Sequence, residues 1–196
     1  MKQGDSKKGF TIIEVVLVLA VAGLIFIMVF VALPALQRAQ RDNARRDDMM
    51  KFISEVKKYQ TSNRGALPGV GQVTQANPIV KVQPNNAGEI SGNPASSTWA
   101  GFYRDYLGKN FIDPDGEYYK LIVMNCNANT DVACTGSGDY VSNMPTEPFG
   151  QGGSDYNILV VLQAKCSGTI TVGSSNPRNL AVLYRLEGSG SYCFNT

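Results

Sequence analysis

The sequence predicts an α+β protein of the following design. One long N-terminal helix, membrane-spanning in its first half and amphipathic in its second, packs on a C-terminal antiparallel β-sheet. Three observations support this prediction. Residues 15–33 are nineteen consecutive residues without a charge, and residues 37–64 follow with neither glycine nor proline. Beyond residue 98, short segments rich in Val, Ile, Leu and Tyr alternate with turn residues, which is typical of strands.

The first nine residues form a short basic leader. They contain three lysines and one aspartate, and so they account for the whole net charge of +2. The remaining fifteen basic residues balance fifteen acidic ones. A neutral chain offers no broad electrostatic footprint for a polyanion, and we expect no direct nucleic-acid site.

Residues 10–36 form an apolar segment that can cross a membrane. At 1.5 Å per residue, its nineteen-residue uncharged core spans about 28 Å as a helix, close to the thickness of the hydrocarbon layer. The segment is too long for the apolar region of an ordinary signal peptide. Glu14 is its only charged residue. Because a carboxylate in hydrocarbon is costly, we expect Glu14 to be functional. Cleavage between Gly9 and Phe10 would create an amine about one helical turn from it.

Residues 37–64 continue the helix in amphipathic form, and Pro34 should kink it rather than end it. Apolar residues recur at helical spacing and predict the buried face: Met49, Phe52, Ile53, Val56 and Tyr59. Charged residues are expected on the solvated side: Arg41, Arg45, Asp48, Lys51, Glu55 and Lys58. The mixed charges of residues 38–48 favour helix-face ion pairs between packed subunits over a DNA site.

Residues 65–196 are predicted to form the globular domain. It opens with an irregular connection, residues 65–98, rich in Pro, Gly and Asn. A short helix is expected over 99–107, with strands over 118–124, 156–164 and 180–186 and a closing strand over 191–195. No strand is followed by a helix of crossover length, so the sheet of about four strands should be antiparallel.

Four cysteines lie in the C-terminal part of the chain. Downstream of a membrane-targeting segment, an even number predicts two disulfides formed outside the cytoplasm. A zinc site is the weaker alternative, because the chain has no C-x-x-C pair. Of three possible connectivities we expect Cys126–Cys134, closed by a short polar loop, and Cys166–Cys193, joining the ends of two strands that run in the same direction.

We expect no enzymatic activity and no cofactor. The chain contains no histidine and therefore cannot supply a histidine-based triad or base. Asp113, Asp115 and Glu117 could offer oxygen ligands to calcium. The favoured interpretation of residues 113–116, Asp-Pro-Asp-Gly, is a β-turn that leads into a strand.

The N-terminal segment resembles a known targeting signal. Lys8-Gly9-Phe10-Thr11-Ile12-Ile13-Glu14 and the apolar run that follows are similar to the class III signal of type IV prepilins. The Asp-Pro-Asp-Gly turn also resembles one found in many pilins and pseudopilins. The resemblance implies that a membrane peptidase cuts after Gly9 and that the amine of Phe10 is methylated. It also implies that Glu14 aligns an incoming subunit with one already in the filament.

This resemblance implies a structural subunit of an extracellular type IV pilus that serves adhesion, surface motility or DNA uptake. The implied partners are other pilin subunits in a helical homopolymer, the prepilin peptidase and the pilus assembly platform. The precursor would span the cytoplasmic membrane once, with residues 65–196 outside, before it joins a pilus on the cell surface. Two alternatives remain open: a type II secretion pseudopilin, and a membrane-anchored enzyme or binding module.

Overall fold

The computed structural model describes residues 9–69, 71–74, 79–126, 157–168, 170–187 and 190–196. A helix, α1, extends over Ile12–Ser62, and a short helix, α2, over Trp99–Phe102. A turn of π-helix, Tyr103–Leu107, and a 3-10 turn, Gly108–Asn110, follow α2. The strands are β1 (Ile79–Val82), β2 (Lys120–Asn125), β3 (Asn157–Leu162), β4 (Ala164–Ser167), β5 (Ile170–Gly173), β6 (Leu180–Leu186) and β7 (Gly190–Asn195).

The chain divides into two units at Gln40 and Arg41. The described part of the first unit is almost entirely the apolar half of α1, which is long and apolar enough to cross a membrane. Its large apolar side chains are exposed, from 47% at Leu33 to 86% at Ile12. The helix continues through Pro34. Proline lacks an N–H group, but this removes only one hydrogen bond from the helix and leaves the other backbone hydrogen bonds in place.

The second unit, residues 41–196, contains a five-stranded sheet in the order β1-β2-β3-β6-β7. The β1–β2, β3–β6 and β6–β7 pairs are antiparallel. The pair β2–β3 is parallel, from Lys120 opposite Asn157 to Asn125 opposite Leu162. The expectation of a wholly antiparallel sheet was therefore wrong. Two parallel neighbouring strands need a long connection, which does not have to contain a helix. Thirty residues separate Cys126 from Asn157, and this length is sufficient for such a connection.

Two further features were missed in the sequence. Strand β1 lies within the connection over 65–98, which was expected to be irregular. Strands β4 and β5 form a separate antiparallel hairpin. Each of the strands β1, β4 and β5 has four residues, which is too short to show a clear alternation of apolar and polar residues. The α+β class, the long helix and the strand β6 agree with the prediction.

The predicted apolar face of α1 builds the main core. Its residues Met49, Phe52, Ile53, Val56 and Tyr59 are at most 7% exposed. They pack with one face of the sheet, including Leu121, Val160 and Val182. A second, smaller cluster covers the opposite face. Packing of this helix face places Arg41, Arg45 and Asp48 of α1 beside the residues that precede β2 and follow β6.

Candidate functional site

The expected cleavage site lies at the start of the described chain. Gly9 and Phe10 precede the first residue of α1, and the Phe10 side chain is 84% exposed. A Cβ atom added at Gly9 would meet no heavy atom within 4 Å. Among the described residues, both members of the expected cleavage site are therefore exposed.

Glu14 lies in the first turn of α1, where its N–H donates to the carbonyl of Thr11 at 3.1 Å. Its side chain is exposed. The N-terminus of a helix favours a negative charge, because its unpaired N–H groups carry partial positive charge. Cleavage after Gly9 would place a positively charged amine in the preceding turn. This arrangement fits a carboxylate that pairs with an amine, of its own chain or of another copy.

A buried ion cluster joins α1 to the loops at one end of the sheet. Its central residue, Arg45, is 3% exposed. The Arg45 Nε and Nη2 atoms donate to the two carboxylate oxygens of Asp113 at 2.7 and 2.9 Å. Nη2 also donates to Asp115 at 2.6 Å, and Nη1 donates to Glu187 at 2.5 Å. The expectation that Arg45 lies on the solvated side of the helix was wrong.

Arg41 and Asp42 complete the cluster around Glu187. The Nε and Nη2 atoms of Arg41 donate to the two Glu187 carboxylate oxygens at 2.8 and 2.7 Å. The backbone N–H of Glu187 donates to the Asp42 carboxylate at 3.0 Å. These pairs lie within one chain, and the ion pairs between subunits that the sequence suggested stay a prediction.

The charges of the cluster change its pKa values. The two hydrogen bonds from Arg41 and the one from Arg45 lower the pKa of Glu187 to about 2. Burial by itself lowers the pKa of Arg45. The hydrogen bonds to Asp113 and Glu187 and the nearby negative charges outweigh this effect and raise that pKa above its usual value. Arg45 and Glu187 are therefore both charged near neutral pH.

Two tyrosines extend the cluster into the core. The Tyr184 hydroxyl donates to Asp113 at 3.0 Å, and the Tyr119 hydroxyl donates to Asp48 at 2.9 Å. Burial raises the pKa of Asp48, an effect that the bond from Tyr119 opposes. The sequence did contain a signal for this cluster. Arg45 lies four residues before Met49, within the buried stripe of α1, and a charge at such a position requires partners.

The segment of the weak calcium candidate, residues 113–117, forms a turn in the structure. The Asp113 carbonyl accepts from the N–H of Gly116 at 2.7 Å, as in the expected β-turn, and Gly116 has a φ of +94°. The carboxylates of Asp113 and Asp115 both face the guanidinium of Arg45. The described residues contain no group of three or more acidic or cysteine side chains that could hold a metal ion.

Three cysteines, Cys126, Cys166 and Cys193, lie within the described residues. Cys166 of β4 and Cys193 of β7 form a disulfide with a Cα–Cα distance of 5.7 Å, and this is one of the two expected pairs. The expected geometry differs, because β6 separates β3 from β7 and it is the hairpin strand β4 that reaches β7. Cys126 is also disulfide-bonded. Its expected partner, Cys134, lies outside the described residues.

The comparison with known families concerns the N-terminal segment. Residues 5–30 match the family model described as the prokaryotic N-terminal methylation motif. No curated protein and no solved structure matches the chain. The matched residues include Gly9, Phe10 and Glu14. The motif is the class III signal of type IV pilins and pseudopilins, and the N-terminal segment of this chain therefore carries a signal of that type.

Proposed function

We propose that the chain is a structural subunit of an extracellular type IV pilus. It is exported as a prepilin, cleaved after Gly9 and polymerised through its N-terminal helix. The observation that carries this proposal is the N-terminal methylation motif on a helix whose first half has exposed large apolar side chains. Such a surface must be covered by lipid before assembly and by other copies of the helix afterwards.

Processing is the first step of the proposed pathway. The prepilin peptidase removes residues 1–9, and the new amine of Phe10 is methylated. The removed leader carries the whole excess positive charge of the precursor, so the mature chain is neutral. The amine then lies close enough to the helix N-terminus to pair with a carboxylate at Glu14.

Assembly follows from the same pair of charges. In the membrane, the Glu14 carboxylate is costly unless it meets a cation. A subunit that enters the filament gains an ion pair with the Phe10 amine of a copy already there, and this pairing sets the register between them. The assembly platform and the inner membrane hold the subunit until this step.

The globular unit forms the outer surface of the proposed filament. Its buried Arg45 cluster and its disulfides keep it folded outside the cell, where no reducing system protects free thiols. Adhesion, surface motility and DNA uptake are the roles that such a filament serves.

Electron microscopy and mass spectrometry test the proposal together. Filaments sheared from wild-type cells should be absent from a deletion strain, and their subunit should have the mass of residues 10–196 with one added methyl group. Intact residues 1–9 in assembled material would contradict the processing step. A deletion strain that keeps its surface filaments but no longer secretes exoproteins would point to a type II secretion pseudopilin.

A further inference from the structure

Within the described residues, the sheet of the globular unit has two edge strands. Strand β1 pairs with β2 and strand β7 pairs with β6, and the strand order puts them at opposite edges. An edge strand presents a row of N–H and C=O groups to which another strand can bind. The two edges differ in sequence and in position, so contact between them joins copies of the chain head to tail.

The free edge of β7 carries the backbone groups of Cys193 and Asn195. The N–H of Thr196 donates to the carbonyl of Leu180 at 3.1 Å, so the even positions of β7 bond to β6. Because hydrogen bonding alternates along an antiparallel strand, the odd positions point away from β6. The neighbouring strand β4 contacts side chains here. The Cys166 N–H donates to the side-chain oxygen of Asn195 at 3.4 Å, and Cys166 forms the disulfide with Cys193.

The free edge of β1 has the same arrangement at Ile79 and Lys81. The N–H of Cys126 donates to the carbonyl of Leu162 at 3.1 Å, so the even positions of β2 bond to β3 and the odd positions bond to β1. The second and fourth residues of β1 lie opposite the odd positions 123 and 121. The backbone groups of Ile79 and Lys81 therefore point away from the sheet, and both residues are exposed.

The directions of the two edge strands allow them to pair between copies. Strand β7 runs in the direction of β2 and β3, whereas β1 runs antiparallel to β2. In the proposed filament, a rotation and a shift along the filament axis relate the copies, so all of them point the same way. Strand β1 of one copy then runs antiparallel to β7 of the next.

One register of this antiparallel pair involves every residue of β1. It places Lys81 opposite Cys193 and Ile79 opposite Asn195. The outward N–H and C=O groups of both strands then face each other in hydrogen-bonded pairs. Ile79, one of the few large apolar side chains of the globular unit that are exposed, is covered by this contact.

The side chains that face α1 fit the same register. It brings Tyr192 opposite Val82 and Phe194 opposite Val80, and pairs of an aromatic and a β-branched residue across two strands are stabilising. The Tyr192 side chain is 40% exposed in the single chain. Its ring is held from one side by the Arg46 guanidinium, whose central carbon lies 4.0 Å from the ring centroid. The contact therefore covers an aromatic ring that is already fixed in position.

We propose that β7 of one copy pairs with β1 of the next in the filament, antiparallel and with Lys81 opposite Cys193. The sheets of neighbouring copies then form one continuous sheet. This inference rests on the proposed function, because a polymer of copies that point the same way brings the two edges together. It adds a contact between globular units, made by backbone groups, to the packing of the N-terminal helices.

Cross-linking in assembled filaments tests the pairing. The substitutions Ile79→Cys and Asn195→Cys are combined in one chain. The Cα atoms of a hydrogen-bonded antiparallel pair lie about 5.5 Å apart, a distance that a disulfide can bridge. Sheared filaments should give a ladder of dimers, trimers and higher multimers in non-reducing electrophoresis. Peptide mapping should identify a link between positions 79 and 195.

Two further variants make the cross-link specific. Ile79→Cys combined with Ser175→Cys, an exposed residue between β5 and β6, is the matched control and should give at least tenfold less cross-linked product. Filaments of the first variant without the link between positions 79 and 195 overturn the proposal. Dimers formed by Asn195→Cys alone show that two β7 edges meet, and they overturn it as well.

A backbone substitution tests the hydrogen bonds themselves. Proline lacks the N–H group and is tolerated in an edge strand where that group points outward. Lys81→Pro should melt within a few degrees of Lys81→Ala in detergent micelles, yet give at least tenfold fewer filaments. Lys81→Ala keeps the N–H and should assemble like the wild type. Equal filament yields of the two variants overturn the proposal, and the cross-link decides if Lys81→Pro does not fold.

The same filaments separate this inference from the proposed function. Wild-type cells without filaments contradict the proposed function, and the inference falls with it. Normal wild-type filaments in which positions 79 and 195 do not cross-link contradict the strand pairing and leave the proposed function standing.

Discussion

Arg45 and Asp113 are joined by two parallel hydrogen bonds, although 68 residues separate them in the sequence. Both side chains are almost completely buried, at 3% and 2% exposed. The pair fixes the amphipathic half of α1 to the turn that precedes β2. It therefore holds the amphipathic part of α1 within the globular unit, to which both residues belong.

Removal of one partner tests this coupling. Asp113→Ala leaves the Arg45 guanidinium buried without its main partner, and we expect a loss of about 3–5 kcal/mol in the free energy of unfolding. Asp47→Ala, an exposed acid on the same helix, should change it by less than about 0.5 kcal/mol. Urea unfolding of the full chain in micelles, followed by near-UV circular dichroism, measures both. Equal effects of the two substitutions would contradict the central role of this pair.

Glu187 gives the cluster a dependence on pH. Because its pKa falls to about 2 in the folded protein, its contribution is present above its ordinary pKa, near 4.5, and is lost as the pH falls from there toward 2. Glu187→Gln should cost about 2 kcal/mol at pH 7, and the difference from wild type should shrink steadily below pH 4.5. Thermal unfolding from pH 2 to pH 7 measures this. A difference that does not depend on pH would show that the charge of Glu187 contributes nothing.

Glu14 should matter for assembly but not for folding. Glu14→Ala removes the only charge of the apolar segment, so we expect normal membrane insertion and normal subunit levels with filaments severely reduced or absent. Immunoblots of cell membranes and electron micrographs of the same cells provide the two readouts. Glu55→Ala, on the charged part of α1, is the matched control and should assemble. Normal piliation of the Glu14 variant would argue against an assembly role for this carboxylate.

The disulfide between Cys166 and Cys193 should stabilise the C-terminal edge of the sheet. It closes a loop of 27 residues, and on the loop-entropy model its loss costs about 3.5 kcal/mol. The double substitution Cys166→Ser with Cys193→Ser should lower the melting temperature accordingly and leave the sheet folded at low temperature. Non-reducing peptide mapping of exported wild-type protein should recover the Cys166–Cys193 link and a Cys126–Cys134 link. A Cys126–Cys166 or a Cys134–Cys193 link would contradict this pairing.

The sequence alone was sufficient to predict the long N-terminal helix. Nineteen uncharged residues, a single acid at Glu14 and the Gly9–Phe10 junction are local features, and their chemistry does not depend on what the rest of the chain does. The buried stripe of α1, from Met49 to Tyr59, was also predicted, because one helical period places its members on one face. The predicted bounds of β6 agree with the structure at both ends. A run of seven mostly apolar residues between turn residues is typical of a buried strand.

The tertiary structure decided how distant residues meet. The expected antiparallel direction was wrong for one pair of strands, since a connection of thirty residues permits either direction, and the structure pairs β2 with β3 in parallel. The position of Arg45 in the buried stripe of α1 indicates that it needs partners, but not which residues these are. Arg45 is buried because Asp113, Asp115 and Glu187 accept hydrogen bonds from it. These residues lie in two loops that are more than 60 residues away along the chain. Pairing of this kind depends on chain topology, whereas a helix and its apolar face depend on residues only three or four positions apart.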